Sequence, residues 1–315
     1  MTILQAIILG IVQGLTEFIP ISSTAHLVFA SRAMGLFNGV EKTLRAEQTT
    51  ATIAVIQLGT LLAVLIYFSR DIVNITNAFV RDHLALLRGD ENPALPRRTT
   101  PDGLPGQGPR DQASTQILGR LSQDARLGWL IIIGSIPVGF VGLLFKKQIE
   151  GTLTKNLWVI ATMMIVVAIL LAIAELLGKQ RRSMKDLGVG DALAVGCAQV
   201  LALIPGSSRS GSTIMAGLLA GEVRETAARF SFLLSIPAVA ASGLLELKEA
   251  VHKLPRGSYG SLAVATLVSG IIGYLSIWFL LRFLRTHSTG VFIAYRLIIG
   301  TVLLFALFTG SIVAA

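Results

Sequence analysis

The chain has 315 residues, of which 53% are hydrophobic and 14% are charged, and its mean hydropathy is +0.70. A soluble domain carries about 25% charged residues, so this composition excludes that class and indicates an integral membrane protein. The formal net charge is +9, but most of the basic residues lie in short loops between apolar runs. That placement is typical of membrane topology and argues against a nucleic-acid partner.

The chain begins with an apolar region, about residues 3–35, whose middle is interrupted by the polar stretch GLTEFIPISSTAHLV. No basic residue precedes the apolar run and no small-residue cleavage site follows it, so we expect retained structure and not a removed signal peptide. Each half is too short to cross a hydrocarbon core of about 30 Å, which takes a helix of about 20 residues. The region is therefore predicted to be a re-entrant helix–loop–helix.

Six apolar runs are long enough to span the membrane as helices, and they cover approximately residues 50–69, 127–145, 157–177, 228–246, 262–284 and 291–311. Residues 89–116, between the first two runs, are rich in Pro, Gly and charge, which predicts a flexible, solvated, cytoplasmic loop. A second interrupted region, about 189–221, has the same design as the first and is also predicted to be re-entrant.

The two interrupted regions resemble each other in sequence. Gly, Gln, Leu, Ile-Pro and Ser-Ser recur in GIVQGLTEFIPISST, from Gly10, and in GCAQVLALIPGSSRS, from Gly196, with one residue deleted in the second copy. A Ser-Ile-Pro element follows each of them, which indicates a tandem duplication with repeats at 1–156 and 157–315. We expect the repeats to form a single integral membrane domain.

The charge distribution predicts the orientation of the two repeats. The loops on one side hold about twice as many Lys and Arg residues as the loops on the other, which predicts that the richer side is cytoplasmic and that both termini lie outside. An odd number of spans in each half gives the halves opposite orientations. The predicted fold is thus an all-α polytopic membrane protein built from inverted repeats, whose two polar loops meet near the midplane.

The second interrupted region contains PGSSRSGST, residues 205–213, which has the composition of an anion site. Gly206 lets the backbone approach a ligand closely, Arg209 offers a fork suited to phosphate oxygens, and the start of the next helix points amides at the same place. Packing between helices explains Ser and Gly in a membrane. It does not explain an arginine at membrane depth, which costs at least ~2.5–3.5 kcal/mol unless it is paired or solvated.

The first interrupted region carries Glu17 within its apolar run, and an ionisable residue at such a place is a functional hypothesis by default. A structural ion pair with Arg209 is the alternative, and both roles can hold together. Gln13 lies one helical turn before Glu17 and shares its face. His26 follows Ser23 by three residues and is a candidate general acid or base, although a lone histidine also serves as a packing residue.

The stretches QGLTEFIPISSTAH and PGSSRSGST together resemble the two signature motifs of the undecaprenyl-diphosphate phosphatase family linked to bacitracin resistance. The first family pattern is Glu or Gln, three residues, then Glu, which Gln13 and Glu17 fit. The second is Pro-Gly-x-Ser-Arg-Ser-x-x-Thr, which residues 205–213 fit at every fixed position. The segments VIQLGTLLAV around Gln57 and FSFLLSIP around Phe230 are also similar, so the resemblance covers most of the chain.

The resemblance implies hydrolysis of undecaprenyl diphosphate to the monophosphate and inorganic phosphate, which recycles the lipid carrier for peptidoglycan and other envelope glycans. It implies a multi-pass protein of the bacterial plasma (inner) membrane whose active site faces the periplasmic or outer side. It also implies a divalent cation, Mg²⁺ or Ca²⁺, for which Glu17 and Gln13 are candidate ligands. The partners expected are the polyprenyl diphosphate, the bilayer and, as a further option, a second copy of the chain as a homodimer.

The expected site residues follow from both motifs. The catalytic candidates are Glu17, Ser23, His26 and Arg209, and the candidates for binding the substrate phosphates are Gly206, Ser207, Ser208, Ser210, Thr213, Ser22 and Thr24. We expect Ser23 to be the nucleophile, activated by Glu17 or His26. His26 as the nucleophile and direct attack by a water that Glu17 orients are the competing schemes.

A transporter or flippase for phosphate or polyprenyl phosphate is the alternative function. Inverted repeats with broken helices at the midplane are typical of alternating-access carriers, and the same groups could bind a phosphate without cleaving it. A carboxylate beside a phosphate repels it unless a metal or a proton intervenes, so Glu17 together with Ser23 and His26 favours an enzyme. A proton-coupled carrier, however, could also use a glutamate.

Overall fold

The computed structural model describes residues 1–36, 42–88, 121–145, 156–253 and 259–312, and the loop predicted at 89–116 lies outside them. In these ranges the chain forms eleven α-helices, two 3-10 helices and no strand. The α-helices are α1 Ile3–Phe18, α2 Ser23–Ala33, α3 Lys42–Tyr67, α4 Ser69–Arg88, α5 Gln123–Leu144, α6 Leu157–Leu177, α7 Val189–Val200, α8 Arg209–Leu219, α9 Arg224–Lys253, α10 Tyr259–Leu284 and α11 Gly290–Phe308. The 3-10 helices are Met184–Asp186 and Leu201–Leu203.

Five of the described helices are long and apolar enough to cross a membrane, namely α5, α6, α9, α10 and α11. The part of α3 from Ala51 onward and α4 pass the same test together but are bent by 67° at their junction, so they count as a sixth span if taken as one. Each predicted apolar run therefore corresponds to a helix. The prediction of an all-α, multi-pass membrane protein is confirmed.

Both interrupted regions fold as a helix, a tight turn and a second helix, α1–α2 and α7–α8. The N-cap residues Ser22 and Ser208 have positive φ angles of 79° and 68°, and each hydroxyl accepts a hydrogen bond from the amide three residues later. Ser22 follows Gln13 by the same number of residues as Ser208 follows Gln199. The two N-cap serines therefore align without the one-residue deletion that the comparison of the two sequences required. The re-entrant path, the inverted orientation and the boundary near residue 156 remain predictions.

Each of these helix pairs packs against a spanning helix of the other half of the chain. Helix α1 lies on α10 and α7 lies on α5, and α3 of the first half also packs on α9 of the second, while α6 packs on α11 within the second half. The α7–α5 contact is so close that a Cβ at Gly196 would stand 2.1 Å from the carbonyl oxygen of Gly134. The crossed packing carries the two turns toward each other inside the bundle.

Glu175 ties three helices together near the end of α6. Its carboxylate accepts hydrogen bonds from Arg224 Nε at 2.7 Å, at the start of α9, and from Thr289 Oγ1 at 2.7 Å, just before α11. The side chain is only 12% exposed. The Arg224 side chain is 31% exposed, so the pair is a partly buried structural ion pair between helices.

Glu222 is a buried carboxyl in the loop between α8 and α9, outside the spanning helices. It is fully buried, and neither of its oxygens has a hydrogen-bond partner among the residues whose side chains are described. The guanidinium of Arg182 is already bonded to Asp191 through both Nη atoms. Burial first, and the negative charge of Asp191 second, raise the pKa of Glu222 to about 7.

Replacing Glu222 by glutamine is expected to raise the melting temperature at pH 8 and to change it much less at pH 5. The folded protein holds the Glu222 proton more tightly than the unfolded chain does, so its free energy of unfolding falls as the pH rises from 4.5 to about 7. Thermal unfolding of both proteins in detergent across this range measures the trend. Glu225→Gln, which removes the carboxylate paired with Arg285, is the matched control, and a Glu222→Gln difference that does not grow with pH contradicts the assignment.

Candidate active site

The end of α1 and the start of α8 meet at an ion pair. Arg209 Nη2 donates a hydrogen bond to Glu17 Oε1 at 2.8 Å, and the two side chains are 15% and 8% exposed. Glu17 occupies the last turn of α1 and Arg209 is the first residue of α8, so each side chain reaches past the end of its helix. The two polar motifs, far apart in the sequence, therefore form one site.

The second carboxylate oxygen of Glu17 receives two more hydrogen bonds. Ser23 Oγ donates to Glu17 Oε2 at 2.8 Å, and Gln13 Nε2 donates to the same atom at 3.1 Å. Gln13 Nε2 also lies 3.4 Å from Thr60 Oγ1 on α3. Glu17 thus joins a hydroxyl, an amide and a guanidinium, and it is placed to take the proton of Ser23.

His26 lies at the edge of this site and faces α11. Its Nδ1 is 2.7 Å from the carbonyl oxygen of Ser22, which can only accept, so Nδ1 carries the proton of the neutral ring. Its Nε2 then accepts from the Tyr295 hydroxyl at 2.6 Å. In the described part of the chain neither ring nitrogen is bonded to Ser23, so the hydrogen bond that is present favours Glu17 over His26 as the group that activates this serine.

The second turn presents a free donor. Arg209 Nη1 is buried and has no hydrogen-bond partner within the described ranges, although Nη2 is bound to Glu17. The hydroxyls of Ser208 and Ser210 lie 3.2 Å apart, and Ser208 also caps α8 by accepting from the amide of Gly211. A guanidinium with a free N–H group and a helix N-terminus that carries two serine hydroxyls are each suited to hold phosphate oxygens.

Two of the predicted phosphate-binding hydroxyls are bonded inside the protein. Ser207 Oγ donates to the carbonyl oxygen of Ile204 at 2.7 Å. Thr213 Oγ1 donates to the carbonyl oxygen of Arg209 at 2.8 Å and is also bonded to Ser231 on α9. Both side chains are fully buried. Their hydrogen bonds fix the shape of the loop between α7 and α8 and of the N-terminal end of α8. Their predicted role in binding the substrate stays a prediction.

The remaining predicted binding residues differ in exposure. Ser22 is buried and caps α2, whereas Thr24 is exposed. Gly206 has φ +91°, and a Cβ there would stand 2.3 Å from the carbonyl oxygen of Ile160, so only glycine lets this turn lie against α6. Gly206 is needed for the shape of the turn, whatever ligand the turn holds.

Two neighbouring residues of α11, Tyr295 and Arg296, were not among the predicted site residues. Tyr295 bonds His26, and Arg296 is fully buried and bonds both turns. A signal was present, because Arg296 is the one charged residue inside the apolar run at 291–311. A charged residue inside a predicted span indicates a functional role, and this holds for Arg296 as it does for Glu17.

The oxygen atoms at the end of α1 fit a hard divalent cation. Gln13 Oε1 is buried beside Glu17 and has no hydrogen-bond partner among the described residues. Mg²⁺ is commonly bound by one or two carboxylates together with substrate phosphates and water. The same part of the chain contains no group of three or more His, Cys, Asp or Glu side chains that could hold a metal. The donors fit a cation shared with a substrate and not an all-protein cage.

Comparison with known proteins decides the family. The family described as "Bacitracin resistance protein BacA" matches residues 6–302. The chain belongs to this family. The match includes both turns and the part of α11 up to residue 302, and the resemblance drawn from the two motifs is confirmed.

Curated relatives of this BacA-family chain carry the name undecaprenyl-diphosphatase. The relative from Syntrophobacter fumaroxidans is 49% identical over 313 residues, which cover 99% of this chain and 100% of the relative. The relative from Chlorobium luteolum is 45% identical over 321 residues and 99% of each chain, and that from Mycobacterium marinum is 42% identical over 313 residues, 98% of this chain and 96% of its own. The similarity is therefore to whole proteins.

Proposed function

We propose that this BacA-family protein hydrolyses undecaprenyl diphosphate to undecaprenyl phosphate and inorganic phosphate. The observation that carries the proposal is the 2.8 Å contact between Glu17 and Arg209, which joins the two signature motifs inside the bundle with the Ser23 hydroxyl on the same carboxylate. The full-length similarity to relatives named undecaprenyl-diphosphatase supports it. The product is the lipid carrier used for cell-wall glycans.

The chemistry that this geometry favours begins with the hydroxyl of Ser23. Glu17 takes the proton as Ser23 Oγ attacks the terminal phosphorus, and the bond from that phosphorus to the bridging oxygen breaks to release undecaprenyl phosphate. Glu17 passes that proton to the departing undecaprenyl phosphate or to solvent and is a carboxylate again. Water then attacks the phosphoserine and gives a proton to Glu17, which returns it to Ser23 Oγ as the bond from phosphorus to Oγ breaks and inorganic phosphate leaves. The free N–H groups on Arg209 Nη1 hold an equatorial phosphate oxygen, where negative charge builds up in the transition state.

The ion pair also makes the site acceptable to an anion. A carboxylate alone would repel a diphosphate, but Arg209 balances the charge of Glu17 at a contact distance. His26 as the nucleophile is less well supported, because its Nε2 is engaged by Tyr295. Binding and release of a phosphate do not require a serine hydroxyl that is hydrogen-bonded to a carboxylate. The transporter alternative is therefore not favoured.

A divalent cation, Mg²⁺ or Ca²⁺, is part of the proposal. The Glu17 carboxylate and Gln13 Oε1 would hold it together with the diphosphate. The cation would neutralise the negative charge on the leaving group, undecaprenyl phosphate. The buried, unpartnered Gln13 Oε1 supports this assignment.

We also propose a setting for the reaction, the bacterial plasma membrane with the site open to the outer side. The support is the excess of Lys and Arg in one set of loops. The apolar tail would lie between helices, open to the bilayer, while the diphosphate reaches the two turns.

Phosphate release from undecaprenyl diphosphate by the purified protein in detergent tests the function. We expect release with Mg²⁺ or Ca²⁺ and its loss with a chelator, recovered when the cation is added back. Binding of undecaprenyl phosphate, measured in parallel, separates the two function classes. Retained binding with no release under any of these conditions would overturn the phosphatase proposal in favour of the carrier.

A further inference from the structure

Arg296 has the largest side chain among the fully buried residues of the described chain. It projects from α11 into the space behind the two turns. Its guanidinium donates to backbone carbonyl oxygens of the first turn, the second turn and α6, namely those of Pro20 (3.3 Å), Gly206 (3.0 Å), Ser207 (3.0 Å), Met163 (3.3 Å) and Met164 (3.1 Å). One side chain thus connects three segments that are distant in the sequence.

Burying this guanidinium has a high energetic cost. A charged group removed from water loses several kcal/mol of solvation unless its donors are paired, and no ion pair between Arg296 and a carboxylate occurs among the described residues. Backbone carbonyls take the place of the counter-ion. Packing of helix on helix does not require such a group, because small residues are sufficient for close contact in membranes. The turns, by contrast, need partners for carbonyl groups that no helix satisfies.

The carbonyls that Arg296 binds stand next to the reacting groups. Pro20 lies in the first turn, between Glu17 and Ser23, and Ser207 lies in the second turn, two residues before Arg209. A shift of either turn therefore changes the distances from Glu17 to Ser23 and to Arg209. The planar guanidinium fixes both turns at once because its donors point in set directions.

We infer that Arg296 is a positioning residue, which holds the two turns in the register that the reaction requires without touching the substrate. The inference rests on the proposed hydrolysis. The α11 helix is then a third part of the active site, beside the two signature motifs, since the neighbouring Tyr295 holds His26 in the same way. A positioning residue acts on the rate of the chemical step more than on substrate binding.

Arg296→Lys is the variant that tests this role. Lysine keeps the charge, but its compact ammonium cannot reach three segments, and a misplacement of about 1 Å costs on the order of 10²-fold in rate. We expect kcat per folded molecule to fall by about that factor while KM changes by less than about threefold. Arg296→Gln, which is neutral and too short to reach all three segments, is also expected to lower kcat per folded molecule, and it replaces the lysine variant as the test if that variant does not accumulate as folded protein.

Two controls separate positioning from stability alone. Arg224→Lys alters the partly buried pair with Glu175, away from the turns, and is expected to lower the melting temperature with kcat per folded molecule unchanged. The second control is the double variant Arg209→Lys with Arg296→Lys. Its fold-loss in kcat is expected to be smaller than the product of the fold-losses of the two single variants, because Arg296 acts through the position of Arg209.

The outcomes are distinct. Without release by the wild type the proposed function fails, and the positioning role falls with it. If the wild type releases phosphate, two results overturn the inference alone. One is that both Arg296 variants keep the wild-type kcat per folded molecule. The other is that the fold-loss in kcat of the double lysine variant equals the product of the two single fold-losses.

Discussion

Replacing Glu17 and Arg209 together by glutamine is expected to leave a folded protein that releases no measurable phosphate. Removal of both charges of a buried pair is often neutral for stability, whereas removal of one leaves an unpaired buried charge at a cost of about 3–5 kcal/mol. The double variant should therefore melt above either single variant. Loss of even one charged donor to a transition state costs about 10²–10³-fold, and here the base is lost as well. Thermal unfolding and phosphate release on the same samples check both expectations.

The ion pair of Glu175 and Arg224 provides the control. It is more exposed than the pair of Glu17 and Arg209 and lies away from both turns, so Glu175→Gln with Arg224→Gln should keep release per folded molecule close to that of the wild type. The Glu17 and Arg209 pair would be structural only if its double glutamine variant retained release within tenfold of the wild type.

Ser23→Ala is expected to lower phosphate release by at least about 10³-fold with little change in melting temperature. The nucleophile would be gone, whereas one lost hydrogen bond changes stability by only about 1 kcal/mol. Rapid acid quenching with substrate labelled at the terminal phosphate should trap label on the wild-type protein and none on the variant. Because phosphoserine is stable to acid and phosphohistidine is not, the same experiment distinguishes the two candidate nucleophiles.

Ser135→Ala is the control for this prediction, since that hydroxyl on α5 bonds the carbonyl oxygen of Ile131 in its own helix and no other partner among the described residues. Label that is kept after a quench in base, is lost in acid and disappears in His26→Ala would assign the attack to His26. No label after either quench, with Ser23→Ala within tenfold of the wild type, would instead favour a water oriented by Glu17.

The spanning helices were predictable because a segment inside the membrane must satisfy its backbone groups within a helix, which produces long apolar runs. Their ends were less predictable. Helix α9 runs from Arg224 to Lys253 and not from 228 to 246, since hydropathy marks where the apolar environment stops and helices continue beyond it. The meeting of Glu17 with Arg209 was accessible as a hypothesis, because opposite charges in apolar runs are costly unless they pair.

The contacts of α11 were not predictable in the same way. Arg296 binds backbone carbonyls, which every residue carries, so no sequence motif marks its partners. For Thr213 and Ser207 the difficulty was different. A hydroxyl can bond a ligand or a nearby carbonyl, and the choice depends on the geometry of the turn.

The hydrogen bonds from Arg296 to both turns have a consequence for how the protein is made. Glu17 lies on the first helix and Arg296 on the last, so the first turn is complete only after nearly the whole chain has been synthesised. At about 5–20 residues per second this delay is on the order of 15–60 s. During biogenesis the carboxylate of Glu17 stays unpaired until Arg209 has been synthesised, and a nascent chain that stops before α11 carries both motifs but not the residue that holds them in register.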